Sequence, residues 1–527
     1  MACSLGVAAS VSAVACSADL DAGDGTGSGE QGGAGGGGAG FSHTGSGTTN
    51  HGEGGNYGGG SGGGYNGTTY TSTSTTGQVP PDDPPPEETD AGADAAVFTC
   101  EGLDTTKPVV LYLSADDSNS MGSPVQAREL LRKGWAPSWI RTYEFLNYYR
   151  IAYPAAPPSE LSLFAEAAVG ATPAEIDLQL GIRSFDALKP RRAMTITFVL
   201  DTSGSMEGEP MERQIAAVKA VAGSLADGDI VNIVTWNTSN KIVLQGHSAT
   251  GPNDSAIVAA ANALTAGGGT DLQGGLVEGY KLAKLHYGAA RLNRVILISD
   301  GGANVGITDK NLIGDSSQDA DKEGIYMVGV GAGTAYSYND ALMDTVTDRG
   351  RGAYVYLDEP EEADRMFIDR FDETMEIAAR GVQVELTLPW YFKIDKFSGE
   401  EYSENPEEIE PQHLAPSDAM VLNQVLKACD PAMINPADPV KLKVTWETPL
   451  IYEAKETTFE TTVGDLLAAD KPYLAKGKAI VGYAEALKTG TSGALQAALT
   501  AVEAANTSGT DPELLEIAEL IKLHPSY

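Results

Sequence analysis

The chain has 527 residues, with 35 Lys and Arg against 72 Asp and Glu and a formal net charge of −37, a length that corresponds to roughly two to four domains. A surface this acidic offers no basic stripe to displace counterions, so nucleic acid and anionic head groups are excluded as partners, while cations and basic proteins suit it. No run of about 18 apolar residues is present, so no segment is expected to cross a bilayer as a helix.

The first residues read as an address. "SLGVAASVSAVAC" is small and apolar and ends at Cys16. Ala13-Val14-Ala15 before it resembles a bacterial lipobox, although Ala13 stands where Leu is usual and no basic residue occurs before Lys107. The expectation is a signal at 1–16 with lipidation at Cys16; a cleaved secretory signal or a missed upstream start is the alternative. Ser17 after the cysteine resembles lipoproteins sorted to the outer membrane. Residues 17–96 are rich in Gly, Ser and Thr and then in Pro, Asp and Glu. Such a stretch buries too little apolar surface to offset its ordering entropy, and it reads as a disordered tether. His43 and His51 within it make a poor metal site.

Folded sequence is expected from about 97. The segment 97–190 opens with a strand, "PVVLYLS", and an amphipathic helix, "SPVQARELLRKG". The aromatics Trp135, Trp139, Tyr143, Phe145 and Tyr148 follow, expected in a core or domain interface, with a ligand platform as the alternative.

From 191 to 378 apolar strands alternate with helical patterns. "AMTITFVL" is apolar enough to be buried on both faces, and "PMERQIAAVKAVAGSLA" carries Ile215, Val218, Val221 and Leu225 at helical spacing. "DIVNIVTWN" and "NKIVLQG" are joined too tightly for a crossover, so that pair is expected to be antiparallel. "NRVILISD", "GIYMVGVGAG" and "GAYVYL" supply further strands, and "EEADRMFIDRFDETMEIAA" a closing helix. This grammar predicts an α/β fold with a doubly wound, mostly parallel sheet, in which ligands bind at the carboxyl ends of the strands.

Three loops meet at those ends: "DTSGSM", "GGGTD" and "SDGGANVG". They offer Asp201, Ser203 and Ser205, then Thr270, then Asp300, an all-oxygen set that suits a hard divalent cation. The pattern Asp-x-Ser-x-Ser-Met also occurs at 116–121, "DDSNSM". No Gly-Gly-Thr or strand-terminal Asp-Gly follows it there. Asp116, Ser118 and Ser120 are therefore expected to cap the helix near Pro124.

Residues 193–378 resemble a von Willebrand factor type A domain, and Asp201, Ser203, Ser205, Thr270 and Asp300 match its metal-ion-dependent adhesion site position by position. With "SADDSNSMGSPVQARELLRKG" before it and "KPYLAKGKAIVGYAEALK" after it, the chain resembles a bacterial lipoprotein family built around this domain. The resemblance implies a bound Mg²⁺, with Ca²⁺ or Mn²⁺ as alternatives, and Asp300 acting through water. It also implies a protein partner whose Asp or Glu carboxylate completes the ion's shell. The expected function is thus a binding protein of the bacterial cell envelope, lipid-anchored and facing the membrane only through that anchor; without lipidation it is periplasmic or secreted. No enzyme is expected, because no histidine lies in a metal loop and neither serine has a partner to activate it. The alternatives are a metal-dependent hydrolase and a structural surface protein with no functional metal site.

Residues 379–465 carry "GVQVELTLP", "AMVLNQVLKA", "VKLKVTWETP" and "KETTFETTV", antiparallel strands at short spacing. They are expected to form a sandwich with the pieces before 190. "SGEEYSENPEEIEP" reads as a solvated loop, and 466–527 as helices, one opening on Asp511-Pro512. Cys100 and Cys429 lie in the two flanks and are expected to form a disulfide if the head is exported; two separate thiols are the alternative.

Overall fold

The computed structural model describes residues 98–116, 119–302 and 324–527. Cys16, His43, His51 and Ser118 lie outside the described residues. The first flank supplies strand β1 (Val109–Ser114), helices α1 (Gly122–Arg132) and α2 (Thr142–Tyr148), and strands β2 (Ser162–Val169) and β3 (Glu175–Arg183). The central unit follows with β4 (Met194–Asp201), α3 (Glu209–Gly223), β5 (Asp227–Trp236), β6 (Asn240–Thr250), α4 (Ser255–Asn262), α5 (Leu272–Leu285), β7 (Leu292–Ser299), β8 (Ile325–Gly331) and β9 (Tyr354–Tyr356). The second flank contributes β10 (Ala379–Leu388), β11 (Phe392–Phe397), β12 (Glu401–Ser403), β13 (Gln412–Leu414), β14 (Ala419–Ala428), β15 (Pro439–Glu447) and β16 (Ala454–Thr462).

The central sheet runs in the order β6-β5-β4-β7-β8-β9. All its neighbours are parallel except β5 and β6. Every residue of β4, β7 and β8 is buried, as expected of strands covered by helices on both faces. The ends of β4 and β7 therefore open side by side on one edge.

The flanks fold together. One sheet has the order β12-β1-β10-β15-β16, with β13 also on β10, and the other β11-β14-β3-β2. Alternation along β15 turns Val440, Leu442, Val444 and Trp446 inward and its lysines outward. These side chains share one core with Leu178, Leu180, Ile182, Met420 and Leu422 of the other sheet. Cys100 and Cys429 are joined by a disulfide, with Cα atoms 5.0 Å apart. The helices Leu474–Thr489, Ser492–Ala505 and Pro512–Leu523 share the central unit's core rather than standing apart: Tyr483, Leu495 and Ile517 lie in one cluster with Phe145, Tyr149 and Ile196. Asp511 caps the last of them, accepting from the amides of Glu513 and Leu514. Among the described residues no helix is long and apolar enough to cross a membrane.

Four expectations are corrected. Asp116 does not cap α1, because the helix starts at Gly122 and its cap position falls on Met121, whose side chain accepts nothing. Asp116 instead accepts from the Ser120 amide and from Asn147 Nδ2, both at 2.8 Å, while buried Glu144 takes the Ser123 amide in the first turn. Trp135 and Trp139 are not core residues but 49% and 55% exposed, since α1 ends and the chain turns outward at Gly134, where φ is +77°; Trp135 does meet Tyr336 of the central unit, so the interface part of the expectation holds for it. Phe145 and Tyr148 are buried. The closing helix is broken into Pro360–Asp364, a π-turn at Arg365–Asp369 and Phe371–Met375. The extra residue per turn keeps Ala363, Met366, Phe367, Phe371 and Met375 all buried. Finally, the acidic segment is not all loop, for β12 pairs with the edge of β1.

His413, in β13, sets a pH dependence. Its Nδ1 accepts from the Gly381 amide at 3.2 Å. Burial, with Arg380, Arg351 and Arg294 around it, holds its pKa down to about 3. The unfolded chain takes up this proton below about pH 6.5 and the folded chain does not. Stability from this group is therefore full above that pH and falls by up to about 1.4 kcal/mol per unit below it. His413→Gln is expected to flatten the drop in urea midpoint between pH 7 and pH 5; equal drops in variant and parent would refute this.

Candidate metal centre

Asp201 ends β4 and is fully buried. Its Oδ1 accepts from the Ser203 amide at 2.8 Å and its Oδ2 from the Ser299 hydroxyl at 2.7 Å. Gln214 Nε2, on α3, donates to its carbonyl at 2.8 Å. These contacts fix the carboxylate before any ligand arrives. Ser203 is buried beside it and its Oγ lies 3.1 Å from Ser205 Oγ, whose residue is exposed.

The second loop is zipped to the first. The Gly204 amide donates to Gly268 O at 3.1 Å and the Gly267 amide to Thr202 O at 2.8 Å. Gly268 has φ +89°, a conformation that a side chain resists. Thr270 is buried just before α5, and Asp271 caps that helix by accepting from the Gly274 amide. The third loop brings Asp300, 8% exposed, with Oδ1 accepting from the Gly302 amide at 3.0 Å. All three loops converge at Gly302. A Cβ there would lie 3.2 Å from Asp300 Oδ1, 3.7 Å from Thr270 Cγ2 and 3.8 Å from Ser205 Oγ.

All five residues singled out in the sequence thus surround one spot, and Asp116 belongs elsewhere. Ser299 and Gln214 escaped the sequence reading; the only signal for Ser299 is its place before a strand-terminal Asp-Gly. Burial pushes the Asp201 carboxyl up to about 7, helped by the charge of Asp300 and opposed by the Ser203 and Ser299 hydrogen bonds. Neither aspartate has an ion pair with a described lysine or arginine, though both are buried. Two such carboxylates beside neutral hydroxyls form a donor set that fits a hard divalent cation.

The first flank braces this edge through one side chain. Glu129 of α1, 4% exposed, accepts from Arg213 Nη2 of α3 at 3.0 Å, from the Ala335 amide at 3.2 Å and from Tyr356 OH at 2.6 Å. Arg213 in turn donates to Gly333 O. Glu129→Gln removes the charge and keeps the shape. It is expected to cost about 2 kcal/mol, read as a lower urea midpoint; an unchanged midpoint would show that the brace carries no load.

Residues 195–367 match the model of the von Willebrand factor type A domain. The chain is similar to the uncharacterised protein YfbK of Escherichia coli (strain K12), 28% identical over 288 residues, which are 51% of this chain and 49% of that one. An uncharacterised protein of Synechocystis sp. is 26% identical over 199 residues, 38% of this chain and 46% of its own length. The chain spans about half the length of these curated relatives. Among solved structures, a von Willebrand factor type A protein from Catenulispora acidiphila overlaps 70% of this chain and 97% of its own, at 14% identity and a TM-score of 0.44. In sheet order and in sequence match, the central unit of this chain has the von Willebrand factor type A fold.

Proposed function

We propose that the chain is a binding protein that engages a protein partner through a divalent cation held by Asp201, Ser203, Ser205, Thr270 and Asp300. The observation that carries this reading is a pair of buried carboxylates and three hydroxyl residues brought together from three loops, with no described cationic side chain to balance them. Mg²⁺ fits this set, and Ca²⁺ or Mn²⁺ are the alternatives. When bound, such an ion supplies an electrophilic centre that only two carboxylates neutralise, and an Asp or Glu of the partner is its natural further ligand. The chain's residues hold the ion and keep Asp201 fixed through Ser299 and Gln214. The acidic body favours a partner that is basic overall.

A hydrolase reading has less support. Of the described histidines, His247 pairs with Asp254, His286 and His524 end helices, and His413 sits in β13. None has a hydrogen bond to the five residues. Tethering to the bacterial envelope through a lipid on Cys16 completes the proposal, supported by the sequence before residue 97 alone. In pull-downs with the full chain, chelator is expected to release the partner, and Ser203→Ala or Thr270→Ala to weaken its capture in a protein that still folds. Equal yields with and without chelator would leave the domain as a structural scaffold.

A further inference from the structure

The loop from Ala332 to Asn339 is pinned to the metal edge at both ends: the Ala332 amide donates to Ser299 O at 2.9 Å and the Asn339 amide to Asp300 O at 3.2 Å. Tyr336 stands between these anchors and is 64% exposed. Three residues of chain reach at most about 11 Å, so Tyr336 is held close to the Asp300 backbone. Trp135, 49% exposed, meets it edge-on, with ring centroids 5.5 Å apart and planes at 63°. Glu129, through its bonds to Arg213 and Ala335, fixes the end of α1 against this loop, so neither ring depends on a partner for its position. Two large aromatic rings left half in water beside a polar site mark a surface that something covers.

Charge selects the occupant. Lys133 Nζ lies 5.4 Å from the centre of the Tyr336 ring, so this ring already faces an ammonium group of the chain itself. That lysine is neutralised by Glu129 at 2.7 Å and lies 3.9 Å from Glu209. Glu207, Glu209 and Glu212, next to the first metal loop, are all exposed. Glu209 is already answered by Arg213 at 3.5 Å and by Lys133, but a neutral aliphatic side chain would cover the rings and leave Glu207 and Glu212 unanswered. A cation answers both, since indole is the best aromatic face for ammonium or guanidinium.

We propose that Trp135 and Tyr336 form a second contact for the protein partner, one that takes a lysine or arginine lying about three or four residues from the carboxylate that reaches the metal. This rests on the metal-dependent reading above. An extended segment rises about 3.3 Å per residue, so one short stretch spans from the Asp300 edge to the rings.

The test is a selection of phage-displayed random dodecapeptides on the full chain in Mg²⁺, run in parallel on Trp135→Ala and on Asp201→Ala, with folding of each checked by thermal melting. On the parent chain the expected winners pair an acid with a lysine or arginine at that spacing. A synthetic winner should bind Trp135→Ala about tenfold more weakly, and selection on that variant should keep the acid and lose the base. If Trp135→Ala selects the same sequences as the parent, or if the residue near the acid is proline or aliphatic, the proposal is overturned. Basic residues enriched without an acid, on parent and Asp201→Ala alike, would leave the aromatic contact standing and remove the metal reading. A parent selection with no enrichment over the naive library counts against both.

Discussion

Asp201→Ala is expected to abolish divalent-cation binding while the protein stays folded. In the parent chain, calorimetry should show one ion per chain with Kd on the order of 10⁻⁴ to 10⁻³ M, as for extracellular oxygen-ligand sites; in the variant the heat should vanish. The argument for an intact fold is local. Alanine loses the hydrogen bonds from Ser203 and Ser299, worth about 1 kcal/mol each. It also removes one of two buried carboxylates that have no described cationic partner, and the two effects oppose each other. The metal-free variant should therefore melt within a few degrees of the metal-free parent. Asp116→Ala is the matched control. It breaks an identical sequence pattern, yet Asp116 holds Ser120 and Asn147 together rather than facing the three loops. Its ion affinity should equal the parent's. Binding lost in Asp116→Ala and kept in Asp201→Ala would reverse the assignment.

The contrast between these two aspartates shows what a sequence carries. Asp201 was legible because its strand is apolar at successive positions and ends abruptly in polar residues, and because Gly-Gly-Thr and Asp-Gly recur after later helices and strands. Those features arise from local chemistry: two-sided burial, tight turns and caps. Ser299 was not legible, since a serine at the end of a strand looks the same whether or not a carboxylate waits on the neighbouring strand. Long-range pairing hides in the same way. The alternation in β10 and β15 announces a half-buried sheet, but nothing local tells that β1 pairs with β10 and β12 across the whole central unit. The π-turn at Arg365–Asp369 reads as plain helix because Met366 and Phe367 stay buried while only Ile368 turns outward, and one extra residue in a turn only shifts the spacing. The exposure of Trp135 and Trp139 is hidden for the opposite reason. Aromatic residues are read as core by default, and their exposure depends on where the chain turns after α1.

Arg128→Met is expected to be the most destabilising single change away from the metal edge, at about 3–5 kcal/mol. Arg128 of α1 is 2% exposed. Its Nε and Nη2 grip Asp358 at 2.8 and 2.6 Å, Nη2 also reaches Glu362 at 2.7 Å, and Nη1 donates to Tyr148 OH at 2.7 Å and Glu516 at 3.1 Å. These partners come from α2, the residues after β9, the first piece of the closing helix and the last helix of the chain. One guanidinium thus joins the first flank, the central unit and the C-terminal helices. Methionine fills much of the volume but leaves the Asp358 and Glu362 side chains, each 3% exposed, without their main countercharge. Arg132 at 3.6 Å from Asp358 and Arg365 at 3.7 Å from Glu362 are poor substitutes, being themselves partly exposed. The cost therefore arises chiefly from stranded carboxylates, and it should shrink when they are neutralised. Arg128→Met combined with Asp358→Asn and Glu362→Gln is expected to recover much of the lost urea midpoint, a coupling that a double-mutant cycle measures directly. Arg128 and Glu129 are neighbours on one helix and point to different parts of the molecule. Losing the first should free the last helix to proteolysis before it disturbs the loop that Glu129 braces. A midpoint lowered equally by the single and the triple variant would mean that packing of the arginine stem, not its charge, holds these three parts together.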